Sequence, residues 1–321
     1  MSERWGYAIN QWKPNFDFFT RREQHERAFK TLSAAGFRAI ELRAGTGRWE
    51  PLGRPEQVAA NFGSAAQFLT YLNSCGIDGV SSLWWDPGEP NHEEPAPARS
   101  PLTVEDHAGI VESARILAQF LRDVGGTCLV ARALPAAWRT GPLSSAQLDA
   151  AGACWSEVGA VTSALGVSLA LHVDFLSPLR SLEDIGELLS RTDQELVGLA
   201  LDTAEVSIAG IDPVALAKQH GDRVRHVHLK DARDTVGGEY LVPNAEKHVL
   251  LGGGERRIER WFWEMGEGSV DIRAVVDALR AHGYDGWWIV ESDQSPSPPE
   301  SVLLNAWTVQ HVLAPRSGSG R

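Results

Sequence analysis

Between positions 168 and 293 the chain repeatedly ends a short apolar run on residues that can carry a proton or hold a cation. SLALHVD brings His172 and Asp174 two residues apart, so in an extended strand both side chains leave the same face. VGLALDTAE closes on Asp202, with Glu205 three positions on. RHVHLKD puts His226 and His228 on one face and Lys230 just beyond them, and WWIVESD closes on Glu291 with Asp293 following. Mixed oxygen and nitrogen donors of this kind suit a divalent ion such as Mn²⁺, Mg²⁺, Co²⁺ or Zn²⁺ rather than a thiolate-bound one. One such residue alone would read as an ordinary hydrogen-bonding group. Gathered carboxylates without a cation would repel one another, and an imidazole that titrates at about pH 6.5 serves as acid or base near neutrality.

The elements that must position these residues follow one rhythm. Apolar runs near 5–10, 39–43, 79–84, 127–132, 168–174, 197–202, 225–229 and 287–291 predict strands. Helix-period segments near 23–35, 56–74, 104–124, 145–165, 182–190, 213–220 and 272–281 separate them, and another covers 300–312. Gly36, Gly76, Gly166, Gly221 and Gly283 stand where left-handed helix caps are wanted, and Asp212-Pro213 reads as a helix start. Strict alternation argues for parallel strands with crossover helices, and eight units favour closure into a (β/α)8 barrel. In such a barrel the residues at the strand ends converge on one pocket.

Residues 1–314 are expected to form one barrel domain with long loops at 86–101 and 232–269, and 315–321 a disordered Ser/Gly-rich tail. Both loops follow strands and so belong to the catalytic face. The second carries Trp261, Phe262 and Trp263, which need a surface to pack on, either as a lid or against a partner. Trp12 and Lys13 after the first strand, Arg43 after the second, Trp84 after the third and Arg132 after the fourth are candidates for substrate contact. Indoles stack on sugar rings, and cations bind hydroxyl, carboxylate or phosphate groups.

Composition narrows the function. A net charge of −12 disfavours nucleic acid and anionic membranes as partners. No GxGxxG or GxxxxGK[ST] follows the first strand, which disfavours nucleotide binding. The cysteines at 75, 128 and 154 are odd in number and scattered, as expected of reduced thiols in the cytoplasm. The N-terminus shows no apolar signal-like run, and no run approaches the roughly 20 residues that span a bilayer.

The segments GLALDTAEVSIAGIDPVAL, DRVRHVHLKD and MGEGSVDIRAVVDALRAHGYDGWWIVESD, with a looser match in GFRAIELRAG, resemble the sugar phosphate isomerase/epimerase family. These are xylose isomerase-like TIM barrels, which include inosose dehydratases and ketose 3-epimerases. The resemblance implies metal ligands at Asp202, His228 and Glu291. Many relatives place a glutamate at the end of the fifth strand, where this chain has His172-x-Asp174, nearer the inosose dehydratase branch and keto-glycoside-cleaving enzymes. The fourth ligand is therefore Asp174 or His172. We assign Asp174 to the metal and His172, Glu205 and Lys230 to catalysis. Without the usual glutamate, symmetric proton shuttling is less supported than proton abstraction beside a carbonyl followed by β-elimination. The expectation is a divalent-metal-dependent (Mn²⁺ foremost) lyase or dehydratase acting on a keto-sugar or keto-glycoside. A metal-dependent isomerase or epimerase is the alternative; an endonuclease-like activity or a non-catalytic subunit ranks lower. The chain is expected to form a homo-oligomer or to join a second subunit.

Overall fold

The computed structural model describes residues 3–12, 22–44, 52–88, 98–233, 261–293 and 295–314. Each anticipated apolar run is a strand: β1 Arg4–Ala8, β2 Ala39–Ala44, β3 Gly79–Trp85, β4 Cys128–Arg132, β5 Ser168–His172, β6 Val197–Asp202, β7 Val224–Leu229 and β8 Trp287–Val290. Every neighbouring pair is parallel, and β1 pairs with both β2 and β8, so the sheet closes into a barrel. Closure leaves no unpaired edge.

The connecting helices are α1 Arg22–Ala34, α2 Pro55–Phe62, α3 Ala65–Ser74, α4 His107–Asp123, α5 Ala137–Thr140, α6 Ser145–Ala164, α7 Leu182–Ser190, α8 Thr203–Ile208, α9 Pro213–His220, α10 Ile272–Ala281 and α11 Pro298–Thr308. The logic of their placement is plain in α10. Ile272, Val275, Val276 and Leu279 are buried at helical spacing, and the Asp271 side chain accepts the Ala274 N–H to start the helix. They join one large apolar cluster with Leu199, Leu201, Val227 and Leu229 of the strands.

Three local expectations change. The helix anticipated over 56–74 is two helices, because Gly63 turns at φ 87° and Ser64 caps a new start. Gly36, Gly76, Gly166 and Gly283 adopt positive φ, but Gly221 does not, at φ −59°. Gly221 is needed for space: a Cβ there would stand 2.5 Å from the His282 ring. The short helix α8 is not anticipated by periodicity. It forms because Asp202, ending β6, turns one oxygen onto the N–H groups of Ala204 and Glu205.

The barrel interior departs from the Val/Ile/Leu filling common in this architecture. Cys128, Val130, Ala170 and Ala200 form a small apolar cluster inside β4, β5 and β6. Small side chains there leave room for buried Glu41, His226, His228, His172 and Asp202. The register shifts by one residue between Ile40 and Glu41, and again between Leu199 and Ala200. Such irregularities re-aim side chains near functional sites; here they precede Glu41 and Asp202. Of the two long loops, 89–97 and 234–260 lie outside the described residues, as do Lys13 and the tail at 315–321. The described end of the second loop, Phe262–Trp263, pairs antiparallel with Asp231–Ala232.

Candidate metal and active site

The two imidazoles of β7 share one carboxylate. His226 Nε2 donates to Glu41 Oε2 at 2.8 Å and His228 Nε2 to Oε1 at 2.7 Å, while Ser82 Oγ donates to Oε2 at 2.7 Å. Burial pushes the Glu41 carboxyl up, but the two histidines more than offset this and hold it well below the usual range. A proton fixed on Nε2 of His228 leaves Nδ1 as the outward-facing nitrogen. That atom lies 3.6 Å from Asp202 Oδ2 and 3.5 Å from Glu291 Oε2. A histidine oriented by a carboxylate at one nitrogen is the arrangement that presents the other to a metal.

Asp202 divides its oxygens between two tasks. Oδ1 caps α8, and Oδ2 faces His172 Nε2 at 3.4 Å, His228 and Lys230. Burial opposes its charge, yet Lys230 and the two histidines hold the carboxyl well below its ordinary value. Lys230 is fully buried, its ammonium 3.3 Å from Asp202, 3.3 Å from Glu205, 3.2 Å from Glu291 and 2.9 Å from Asp293. Burial alone would drain its charge; these carboxylates raise its pKa well above the usual value. Glu205, from the first turn of α8, accepts the Phe175 N–H at 3.0 Å, and burial pushes its carboxyl up to about 8. Burial likewise raises Glu291 to about 7. Asn10, beyond β1, donates to both Glu291 and Asp293.

The fifth strand sends its two polar residues to different places. His172 ends β5 inside the cluster with Asp202 and His228, their donor atoms all within 4.8 Å of one another. Asp174 lies past the strand end and is taken by Arg132, whose Nε stands 2.5 Å from its Oδ2, while its Oδ1 accepts the Leu176 N–H. Arg132 is also held by Asp86 at 3.0 Å. The structure therefore brings His172, and not Asp174, among the prospective ligands. Arg132 is engaged by two carboxylates rather than held open for substrate. Arg43 lies 4.6 Å over the Trp84 ring, and Trp84 meets His172 edge-on. Trp12 is buried edge-on against Tyr7. The aromatic cluster of the second loop packs on the barrel itself: Trp261 and Phe262 contact Phe175, and the Lys230 ammonium lies 4.3 Å over the Phe262 ring.

Sequence reasoning does not assign roles to Glu41, Asn10 or Asp86. For Glu41 a signal exists, a carboxylate between Ile40 and Leu42 in an otherwise apolar strand. Asn10 stands in the 3-10 turn Ile9–Gln11 after β1, and Asp86 just past β3, and nothing local marks either.

The residues present fit a divalent ion. Buried His228 Nδ1 and Glu291 Oε2 make no hydrogen bond, and His228 Nδ1 faces both Asp202 Oδ2 at 3.6 Å and Glu291 Oε2 at 3.5 Å. Nitrogen and oxygen ligands at about 2.0–2.2 Å from one ion stand about 3.0–3.6 Å from each other, close to the separations of Asp202 from His172 and of His228 from Asp202 and Glu291. Asp202, Glu291, His228 and His172 would be the holding set.

The closed barrel and the donors at its strand ends define the architecture of a known family. The model of the xylose isomerase-like TIM barrel family matches residues 29–306, and the chain belongs to that family. An inosose dehydratase of Lactiplantibacillus plantarum is 33% identical over 170 residues, covering 50% of this chain and 55% of the relative. The chain thus matches about half the length of such curated relatives. Among solved structures, L-ribulose 3-epimerase superposes with a TM-score of 0.69 at 16% identity, covering 97% of this chain and 94% of the other. The IolI protein with a bound zinc atom superposes with a TM-score of 0.67 at 16% identity, covering 98% of each. At such identity these two establish the fold.

Proposed function

We propose that the chain is a divalent-metal-dependent lyase or dehydratase that acts on a keto-sugar or keto-glycoside. The observation that carries the reading is His228, fixed by Glu41 at Nε2 so that Nδ1 faces Asp202 and Glu291 beside His172. The similarity to inosose dehydratases supports a dehydrating reaction on a cyclic polyol ketone. Asp202, His228, Glu291 and His172 would hold the ion, with His172 rather than Asp174 as the fourth ligand. A divalent cation bound there would polarise a substrate carbonyl and stabilise the negative charge that develops when the neighbouring C–H is broken.

Glu205 is the proton carrier. One oxygen is held by the Phe175 N–H and the other by the Lys230 ammonium, beside the ligand oxygens of Asp202 and Glu291. It takes the α-proton and returns it to the departing β-oxygen, so water or an alcohol leaves and an unsaturated ketone remains. Lys230 keeps that carboxyl in place. Trp84, Arg43 and Trp12 shape the substrate side, with Lys13 from outside the described residues, and Arg132 orders the rim through Asp86 and Asp174. Buried free thiols support a cytoplasmic setting. The reading includes assembly with itself or a second subunit, which the mass in solution measures.

The test is turnover of an inosose, a 3-keto-glycoside and a ketose in D₂O, by chelated protein and by protein resupplied with Mn²⁺. We expect loss of water or aglycone only with the ion, and none in Asp202→Asn. Full turnover after chelation would overturn the metal role. A deuterated isomer with no leaving group would establish an isomerase or epimerase instead.

A further inference from the structure

We propose that Lys230 is a resident monovalent cation that occupies the place of a second metal ion and so limits this centre to one divalent ion. The inference rests on the metal reading above and adds the stoichiometry of the site. Lys230 is 1% exposed, and its ammonium is within 3.3 Å of carboxylates from Asp202, Glu205, Glu291 and Asp293. An ammonium has three protons and cannot serve four carboxylates equally. It donates hydrogen bonds to Glu205 and Asp293, at 3.3 and 2.9 Å.

Asp202 Oδ2 and Glu291 Oε2, 3.3 and 3.2 Å from the ammonium, also face His228 Nδ1 at 3.6 and 3.5 Å, and neither Glu291 Oε2 nor His228 Nδ1 has a hydrogen bond of its own. Two carboxylates are thus hydrogen-bonded to the lysine, and two stand against both the lysine and His228. Asp202 and Glu291 lie between both positions, as bridging carboxylates do in paired-cation centres, which hold their ions about 3.5–4 Å apart. The lysine cannot readily leave. Thr203 Oγ1 accepts its backbone N–H and donates to its carbonyl, and its ammonium lies over the Phe262 ring.

The test counts Mn²⁺ bound per chain by equilibrium dialysis and metal analysis, with folding followed by circular dichroism. Variants are purified in Mn²⁺, since removing one partner of a buried charge cluster destabilises it. Wild type should bind one ion and Lys230→Ala two. Adding Glu205→Gln and Asp293→Asn to Lys230→Ala should return the count to one. One ion in both wild type and folded Lys230→Ala, or two in wild type, overturns the inference while leaving the metal reading intact. No ion in wild type overturns the metal reading and the inference with it. Should Lys230→Ala not fold, Lys230→Met keeps the chain over Phe262 without the charge. It should bind its single ion at least about tenfold more tightly, and an unchanged Kd would overturn the proposal.

Discussion

Glu41 decides what His228 can do. Its two oxygens take the Nε2 protons of both β7 imidazoles, so the nitrogen that faces Asp202 and Glu291 is Nδ1. A glutamine at 41 preserves the size of this group but removes its charge and offers only one oxygen to two imidazoles. Glu41→Gln is expected to weaken Mn²⁺ binding about 10- to 100-fold, the usual consequence of losing a partner that orients a metal-bound histidine. Titration calorimetry on the chelated protein measures it, and an unchanged Kd would show that His228 needs no such support. Asp174 is a different case. Both His172 and Asp174 are legible in the sequence as neighbours on one face, but only the partner each meets decides its role. Arg132, 42 positions earlier in the chain, claims the aspartate, and nothing within the local motif announces that pairing.

At the scale of elements, the periodic signals suffice wherever burial is one-sided. The sequence places α10 and α7 to the residue because an apolar stripe and a capping side chain coincide at Asp271 and at Ser181. α6 differs, since glycines lie on its packed face. A Cβ on Gly152 would stand 2.5 Å from the Arg191 carbonyl oxygen, and one on Gly159 would stand 2.9 Å from that of Leu196. Alanine is the better helix former by about 1 kcal/mol, yet Gly152→Ala is expected to destabilise the protein by about 1–3 kcal/mol through overpacking. Gly166 tests the other cause. It has φ +76°, and a Cβ added there would meet no atom within 4 Å, so Gly166→Ala should cost about 1–2 kcal/mol through backbone conformation alone. Asparagine, which tolerates that conformation, should recover much of the loss at 166 and none at 152. Urea unfolding of the four variants separates the two effects.

Across the whole molecule, the packing of strands and helices buries every cysteine, Cys128 on a strand, Cys154 within α6 and Cys75 at the end of α3. Cys75, Cys128 and Cys154 are free and buried, and burial pushes the thiols of Cys128 and Cys154 up to about 12 and raises that of Cys75. Thiolate is the reactive form, and a raised pKa keeps it scarce at every pH below that range. Iodoacetamide at pH 8 should therefore modify no thiol in the native protein and all three in denaturant, as counted by mass spectrometry. Fast modification of one native thiol would contradict this packing. Among the described residues no helix is long and apolar enough to cross a membrane. The alternation of strand and helix, the eightfold count and the donors at the strand ends were all determined by sequence, because period and burial are local properties of a chain. The pairing of Glu41 with β7 across 185 and 187 positions, the meeting of His172 with Asp202 and of Asp174 with Arg132, and the single lysine among four carboxylates were decided only by tertiary structure. Closing the barrel brings together strand ends that are remote in the chain. Which charges then neutralise one another depends on distances in space that no spacing along the chain encodes.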